Sequence, residues 1–504
     1  MRTFALALSA ACLALGLVAS PGSAAALHSA TDACVPSVDE TDILEPGPVD
    51  ICFTLFKPAS ASAQATVPMV LHSHGWGGSR TRTVDSFRDY LDAGMAVLSF
   101  DQRGFGESGG KAHVEDPAFE GADVIALVDY VAGLDWVTTN GPNDPVLGAI
   151  GGSYGGGFQF VGAFTELMQT GRTRFDVLVP QITWYSLNES LAPQQVVRST
   201  WASALYAAGA DAHTSTVHAG LAESAATGDW PATMDEFFRD NGPEFHVTAG
   251  RRLDIPVLLY QGASDNLFPL DQALKNYDNA LTDRARRQSL LVGYNGGHAL
   301  PSVLPPGYAT AGDACSKTLG QGTVDGFQDL ERQFLAENLL GARRVLTGHG
   351  RYHLTTAEGT CVSVSSVAPT QSFRPGRIVT PTAAGAPQAV KLADGPLTIA
   401  GTPHVEALVT ALGLDSRAFF ALSVGTTAAD AKVIQNNVLP HREQSLNLGA
   451  RRTIGLPSVA ADIPAGQSLF LTVSPVSDMF VLHGSRTPGA MTLDDVTVRV
   501  PVVD

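Results

Sequence analysis

Val146-Leu147-Gly148-Ala149-Ile150 is a short apolar run, and it leads straight into Gly151-Gly152-Ser153-Tyr154-Gly155. Phe158 to Leu167 follows and reads as a helix. This is G-x-S-x-G in a strand–turn–helix setting, in which a serine stands on a sharp, strained turn above the edge of a sheet. Small neighbours are required because the backbone folds back on itself there. A glycine-rich turn without chemistry is the bland alternative.

The same rhythm extends on both sides. Val67–His72, Met95–Phe100, Val177–Pro180, Ile255–Tyr260 and Ser289–Val292 are further short apolar runs. Helical spacing appears at Val84, Phe87 and Leu91, and again at Val124, Leu127, Val128 and Val131. Strands alternating with helices indicate βαβ units and a mostly parallel sheet covered on both faces, an α/β fold. Between about Ser186 and Ala249 the rhythm gives way to Ala-rich sequence bearing Trp201, Trp230, Phe237 and Phe238, read as a helical cap inserted between two strands. Beyond about residue 365 the period becomes two, as in Val496-Thr497-Val498-Arg499-Val500, with Gly and Pro turns between segments. That pattern predicts a C-terminal β-sandwich over residues 365–504, after a catalytic domain over 27–350.

A serine hydroxyl needs a base to take its proton, and the base needs a carboxylate to orient it. The chain order for this turn is serine, acid, histidine. Asp265 lies just past the run Ile255–Tyr260, and His298 follows Gly296-Gly297 past the run Ser289–Val292. Ser153, Asp265 and His298 therefore each follow a strand on one sheet edge, where open α/β folds place ligands. Asp271 is the rival acid, but it precedes an apparent helix, Gln272–Leu281, and reads as its N-cap. His213 and His246 fall in the helical insertion and read as solvated or locally bonded, and His74 as structural. One oxyanion donor is expected from the backbone N–H of Tyr154. A second is expected from Trp76, through its backbone or indole N–H, in the loop His72-Ser73-His74-Gly75-Trp76-Gly77-Gly78. Plain packing is the alternative for Trp76. Asp101-Gln102-Arg103-Gly104-Phe105-Gly106-Glu107-Ser108 resembles the D-x-R-G-x-G-x-S turn of many α/β-hydrolases, which implies an architectural role, and it is not read as a dinucleotide site or a second nucleophile. Neither H-E-x-x-H nor a Walker sequence occurs, and no metal or cofactor is expected.

The 504 residues suit about three domains. With 44% hydrophobic and 16% charged residues, a disordered chain is excluded. Lys+Arg 32 against Asp+Glu 49 leaves a net charge of −17, without the cationic footprint of a nucleic-acid binder. No apolar run after residue 26 is long enough for a membrane span. Met1-Arg2-Thr3, the apolar Phe4–Val18 and the small residues up to Ala26 read as a secretory signal peptide, cleaved after Ala26 and taking Cys12 with it. The protein is expected outside the cell. Cys34, Cys52, Cys315 and Cys361 remain and allow three pairings. Closing short loops costs less entropy, which favours Cys34–Cys52 and Cys315–Cys361.

The serine loop, the D-x-R-G turn and the C-terminal β-domain together resemble the Xaa-Pro dipeptidyl-peptidase and cocaine-esterase-like (CocE/NonD-type) group of α/β-hydrolases. The cues are Gly151-Gly152-Ser153-Tyr154-Gly155-Gly156, with Tyr after the nucleophile, and Gly395-Pro396-Leu397-Thr398-Ile399-Ala400-Gly401 opening the β-domain. The resemblance covers about residues 66 to 504. It implies an α/β-hydrolase core, a helical cap before the acid-bearing strand and a jelly-roll β-domain. One departure stands out. Members often draw an oxyanion donor from a tyrosine side chain on the loop that here reads His74-Gly75-Trp76-Gly77, so that role does not carry over. Peptidases of the group hold the substrate's free amine with acidic or polar cap residues. The cap has eight acids (Glu189, Asp211, Glu223, Asp229, Asp235, Glu236, Asp240, Glu244) against Arg198 and Arg239, an excess that the acidity of the whole chain gives equally well.

The resulting expectation is a secreted serine hydrolase that forms an acyl-enzyme and removes N-terminal dipeptides. A carboxylic-ester hydrolase is the alternative, and a non-catalytic cell-surface binding protein the distant one. Ser153, Asp265 and His298 intact and in order speak against the last. The substrate is a peptide or small molecule, and the oligomeric state is open.

Overall fold

A computed structural model describes residues 27–298 and 304–503. The expected signal peptide, Met1 to Ala26, lies outside the described residues. One ten-stranded sheet organises the first two thirds of the chain. Its strands are β1 (Ser29–Pro36), β2 (Asp50–Lys57), β3 (Met69–Ser73), β4 (Ala96–Phe100), β5 (Leu147–Gly152), β6 (Val177–Gln181), β7 (Leu258–Gly262), β8 (Leu290–Tyr294), β9 (Tyr352–Thr355) and β10 (Cys361–Val364). They lie in the order β1-β2-β4-β3-β5-β6-β7-β8-β9-β10. From β4 to β9 neighbours are parallel, and β1, β2 and β10 are antiparallel. The central strands read as continuous apolar runs because helices bury both faces. Glu120–Ala132 and Tyr154–Thr170 cover one face through Val124, Leu127, Phe158 and Phe164. Phe327–Leu339 covers the other through Leu330, Phe334 and Leu335.

Three features go beyond the periodic reading. The hairpin β1–β2 precedes it, and β1 is largely exposed, so it carries no apolar alternation to be seen. Cys34 and Cys52 sit directly opposite in that hairpin and form a disulfide, and Cys315–Cys361 ties β10 to the loop after β8, the two pairings that short loops favour. β9 and β10 carry the sheet past residue 350, and the next strand, Gln371–Phe373, already belongs to a different sheet.

Between β6 and β7 the chain forms the helical cap: Leu187–Leu191, Ser199–Gly209, Ser215–Thr227, Ala232–Arg239 and Pro243–Thr248. The C-terminal region is a β-sandwich of a six-stranded and a five-stranded sheet around Val405, Val409, Phe420, Leu422, Leu471 and Val498, with a three-stranded sheet alongside. Gly307–Tyr308, from the connection between β8 and β9, pairs with Lys432–Ile434 of the sandwich.

The D-x-R-G turn is architectural. The Asp101 carboxylate accepts the backbone N–H of Arg80 (2.6 Å) and of Glu107 (2.9 Å) and pairs with the Arg80 guanidinium. Gly104, Gly106 and Gly109 do carry the G-x-G-x-x-G spacing. The segment nevertheless turns without entering a helix, so it offers no helix N-terminus to a phosphate.

Candidate active site

Ser153 sits between β5 and the helix Tyr154–Thr170 at φ 58° and ψ −120°, a strained position for any residue but glycine. Its neighbours must be small for a measurable reason. A Cβ on Gly151 would stand 2.5 Å from the Gly155 carbonyl oxygen, and one on Gly155 would stand 2.4 Å from that of Ser73. The turn is anchored by the Ser153 N–H on the Gln181 carbonyl (2.9 Å) and by the Gly156 N–H on the Ser153 carbonyl (2.8 Å).

Asp265 and His298 follow β7 and β8, and the sheet brings them to the same edge as Ser153. His298 Nε2 is 2.9 Å from Ser153 Oγ, and His298 Nδ1 is 2.8 Å from Asp265 Oδ2. That oxygen also accepts the His298 backbone N–H (2.9 Å), while Oδ1 accepts the N–H groups of Leu267 (2.9 Å) and Phe268 (2.7 Å). Asp265 is fully buried, so all its acceptor capacity is turned on the loop and the imidazole. With Nδ1–H donated to the carboxylate, Nε2 is left to take the serine proton. The rings of Phe268 and Trp201 stand edge-on to His298 at 5.3 and 6.0 Å.

The expected oxyanion loop lies against the serine, for a Cβ on Gly75 would come 3.7 Å from Ser153 Cβ. The Trp76 indole N–H is already donated to the Leu205 carbonyl (2.8 Å), so of the two expected donors of that residue only the backbone N–H is left. Tyr154 is the first residue of its helix, where N–H groups have no intrahelical acceptor and the helix dipole favours negative charge. Its phenol points away from the serine, onto Glu120 Oε1 (3.3 Å). Burial pushes the Glu120 carboxyl up to about 8 and the Tyr154 phenol upward as well.

None of the rivals joins this hydrogen-bonded set, although His213 lines the cavity over Ser153. Asp271 is not an N-cap: the helix begins at Leu270 with Pro269 in the cap position, and Asp271 pairs with Lys275 one turn on (3.3 Å). Pro269, in extended backbone, supplies the helix entry in place of Asp271. His213 and His246 are buried, not solvated: His213 bonds the Tyr206 carbonyl (2.8 Å) and His246 stacks on Phe164. His74 bonds the Gly75 carbonyl (2.8 Å) and accepts the Gln102 N–H (3.1 Å), a structural place.

Over Ser153 the cap encloses a cavity of about 110 Å³. Trp184, Leu205, Met234, Phe238 and Phe268 wall it, with Ser153, Tyr154 and Trp76 at the floor, and among the described residues no carboxylate lines it. The eight cap acids lie elsewhere. Six are exposed, Asp240 pairs with Arg239, and Asp229 pairs with Arg442 (2.6 Å) and Arg486 (2.8 Å) of the β-sandwich. The walls were not legible as a site in the sequence. Trp184, Phe268 and Met234 carry only the apolar signal of any core residue.

A mostly parallel sheet with a serine on the strand–helix turn, a cap inserted before the acid-bearing strand and a β-sandwich behind defines an α/β-hydrolase. The fold is similar over almost the whole chain to three solved structures. A CocE/NonD family hydrolase of Staphylococcus aureus has a TM-score of 0.65 at 11% identity and 94% coverage of both chains. An α-amino acid ester hydrolase has 0.63 at 14% identity, with 97% of this chain and 99% of that one covered. An aminopeptidase of a marine sediment Thaumarchaeota archaeon has 0.65 at 12%, with 97% and 98% covered. Residues 47–299, half of the chain and including Ser153, Asp265 and His298, match the X-Pro dipeptidyl-peptidase (S15) family. The chain belongs to that family and is a hydrolase. A shorter stretch of 97 residues, 19% of the chain, is 31% identical to an uncharacterised 31.7 kDa protein of Escherichia coli, about a third of whose length (32%) it spans.

Proposed function

We propose that this hydrolase is a secreted carboxylic-ester hydrolase that works through Ser153, His298 and Asp265 and accepts an apolar group beside the scissile carbonyl. The observation that carries the reading is the largely aromatic and aliphatic cavity opening on Ser153, with no carboxylate in its wall among the described residues. Ser153 Oγ attacks the ester carbonyl carbon as His298 Nε2 takes its proton, and Asp265 stabilises the imidazolium. The negative oxygen of the tetrahedral intermediate is held by the backbone N–H groups of Tyr154 and Trp76. His298 returns the proton to the leaving alcohol, and a water activated by the same histidine releases the acid from the acyl-enzyme. Two disulfides and the leader-like N-terminus support export.

The second reading, removal of N-terminal dipeptides, is favoured by the family match. It needs an anion for the substrate's free amine, and the cap acids lie away from the cavity. Comparing kcat/KM on a medium-chain p-nitrophenyl ester and on Ala-Pro-p-nitroanilide, with Ser153→Ala as control, separates the two. Ester turnover lost in the variant is expected. Anilide turnover that exceeds ester turnover and needs the free amine would replace the proposal with the peptidase.

A further inference from the structure

The loops bearing Asp265 and His298 are held from outside the α/β core. One turn of the β-sandwich reaches both. Gln435 Nε2 donates to Asn295 Oδ1 (2.9 Å), three residues before His298, and to the Thr355 carbonyl (3.0 Å), while its Oε1 accepts the Ala460 N–H (2.9 Å). Asn295 Nδ2 in turn donates to the Thr356 carbonyl (2.6 Å). Two residues further on, Asn437 Nδ2 donates to the backbone carbonyl of Asp265 (3.0 Å). Gln435 is 0% and Asn437 2% exposed, so water does not compete for these bonds.

The turn itself is under strain. Gln435 and Asn436 both lie at positive φ, 52° and 54°. Left-handed backbone in two consecutive side-chain-bearing residues persists only where the surroundings over-determine it. Here Gly307 closes on Asn436 so tightly that a Cβ would meet Asn436 Oδ1 at 2.2 Å, and the Gln435 N–H bonds the Tyr308 carbonyl (2.8 Å). The cap grips the acid loop from a third side. Fully buried Arg198 donates Nη1 to the Asn266 carbonyl (2.7 Å) while lying over the Phe480 ring of the sandwich, and the Trp201 indole donates to Asn266 Oδ1 (2.8 Å).

We propose, on the triad reading given above, that the Gln435-Asn436-Asn437 turn of the β-sandwich is a positioning element for the acid and the base. It fixes the carbonyl of Asp265 and the root of the His298 loop in one rigid frame, so that the 2.8 Å contact between the two side chains is set by the sandwich as well as by the hydrolase core. Asn437 and Gln435 touch no substrate; their effect passes through Asp265 and His298.

The experiment is a double-mutant cycle in the full-length protein with the ester substrate, pairing Asn437→Ala with Asp265→Asn, and Gln435→Met read beside it. Asn437→Ala is expected to lower kcat on the order of ten- to a hundredfold, the scale of a misplacement near 1 Å, with KM held within about twofold. Asn437→Ser, which keeps a donor, recovers part of the loss. In the Asp265→Asn background the same substitution costs little, because the group it positions is gone. Full kcat in both Asn437→Ala and Gln435→Met would overturn the proposal, as would an equal loss in both backgrounds, which marks a general structural defect. Should Asn437→Ala fail to fold, the cycle is run with Asn437→Ser and judged by the same two criteria. Wild-type kcat in Asp265→Asn alone would remove the triad reading and this proposal with it. A crippled Asp265→Asn beside fully active Asn437→Ala and Gln435→Met would remove only the proposal.

Discussion

Ser153 is held at φ 58° by glycines that a single methyl group would drive into the Gly155 and Ser73 carbonyls, and at 2.9 Å from an imidazole already oriented by a buried carboxylate. Replacing it by Ala is expected to lower kcat by a factor on the order of 10⁴ or more with the fold intact, measured on the ester with a melting curve as control. A second residue reports on stability. Glu331 on the helix Phe327–Leu339 is buried, accepts the Tyr90 hydroxyl and the Gln181 amide (3.0 Å), and burial pushes its carboxyl from 4.5 up to about 7. The folded chain thus holds this proton more tightly than the unfolded chain. Its contribution is fully present below about pH 4.5 and is lost as pH rises through 7. Glu331→Gln removes the titration, so its melting temperature is expected to gain on the wild type between pH 5 and pH 8. A gap between the two that stays constant with pH would contradict this.

Among the elements, those legible in the sequence are the ones whose signal is local. β5, its serine turn and the following helix announce themselves by an apolar run, glycine spacing and helical periodicity within about 20 residues. Asp265 and His298 were legible because chain order and strand ends place them. The indole bond of Trp76 to Leu205 and the bond from Asn437 to Asp265 were not, because they join residues 129 and 172 apart with no pattern linking them, and the cavity walls were not, because they read as ordinary core. The cap helix Ala232–Arg239 contributes Met234 and Phe238 to the cavity. Met234→Ala deepens it, and kcat/KM is expected to shift toward longer acyl chains by on the order of tenfold. An unchanged chain-length profile across a p-nitrophenyl ester series would place the acyl group elsewhere. The disulfides differ by loop length: Cys315–Cys361 spans 46 residues and Cys34–Cys52 spans 18. Loop-closure entropy gives about 4 and about 3 kcal/mol, so Cys315→Ser/Cys361→Ser is expected to lower the denaturation midpoint more than Cys34→Ser/Cys52→Ser.

Across the whole molecule, cap, core and sandwich meet in ion pairs and hydrogen bonds as well as in apolar packing. Asp229 of the cap and Asp415 of the sandwich share three guanidiniums: Arg442 (2.6 Å to each), Arg486 (2.8 and 3.0 Å) and Arg417 (3.4 and 2.6 Å). Trp230, the next residue after Asp229, lines the cavity, so this cluster lies behind part of the cavity wall. Asp229→Asn leaves three cations facing one anion. It is expected to cost about 1–3 kcal/mol in denaturant titration, less than for a fully buried pair because Asp229 is half-exposed. An unchanged midpoint would show that the cluster does not hold the cap. The sequence displayed these arginines only as scattered charges, since pairing between separate regions leaves no periodic trace.

The most direct test of the account is trapping of the acyl-enzyme. Folded protein mixed with a slowly deacylating p-nitrophenyl ester is expected to release a burst of p-nitrophenol and to gain one acyl mass, located by peptide mapping on Ser153 and absent in Ser153→Ala. No adduct on active protein, or an adduct on a residue other than Ser153, would contradict it.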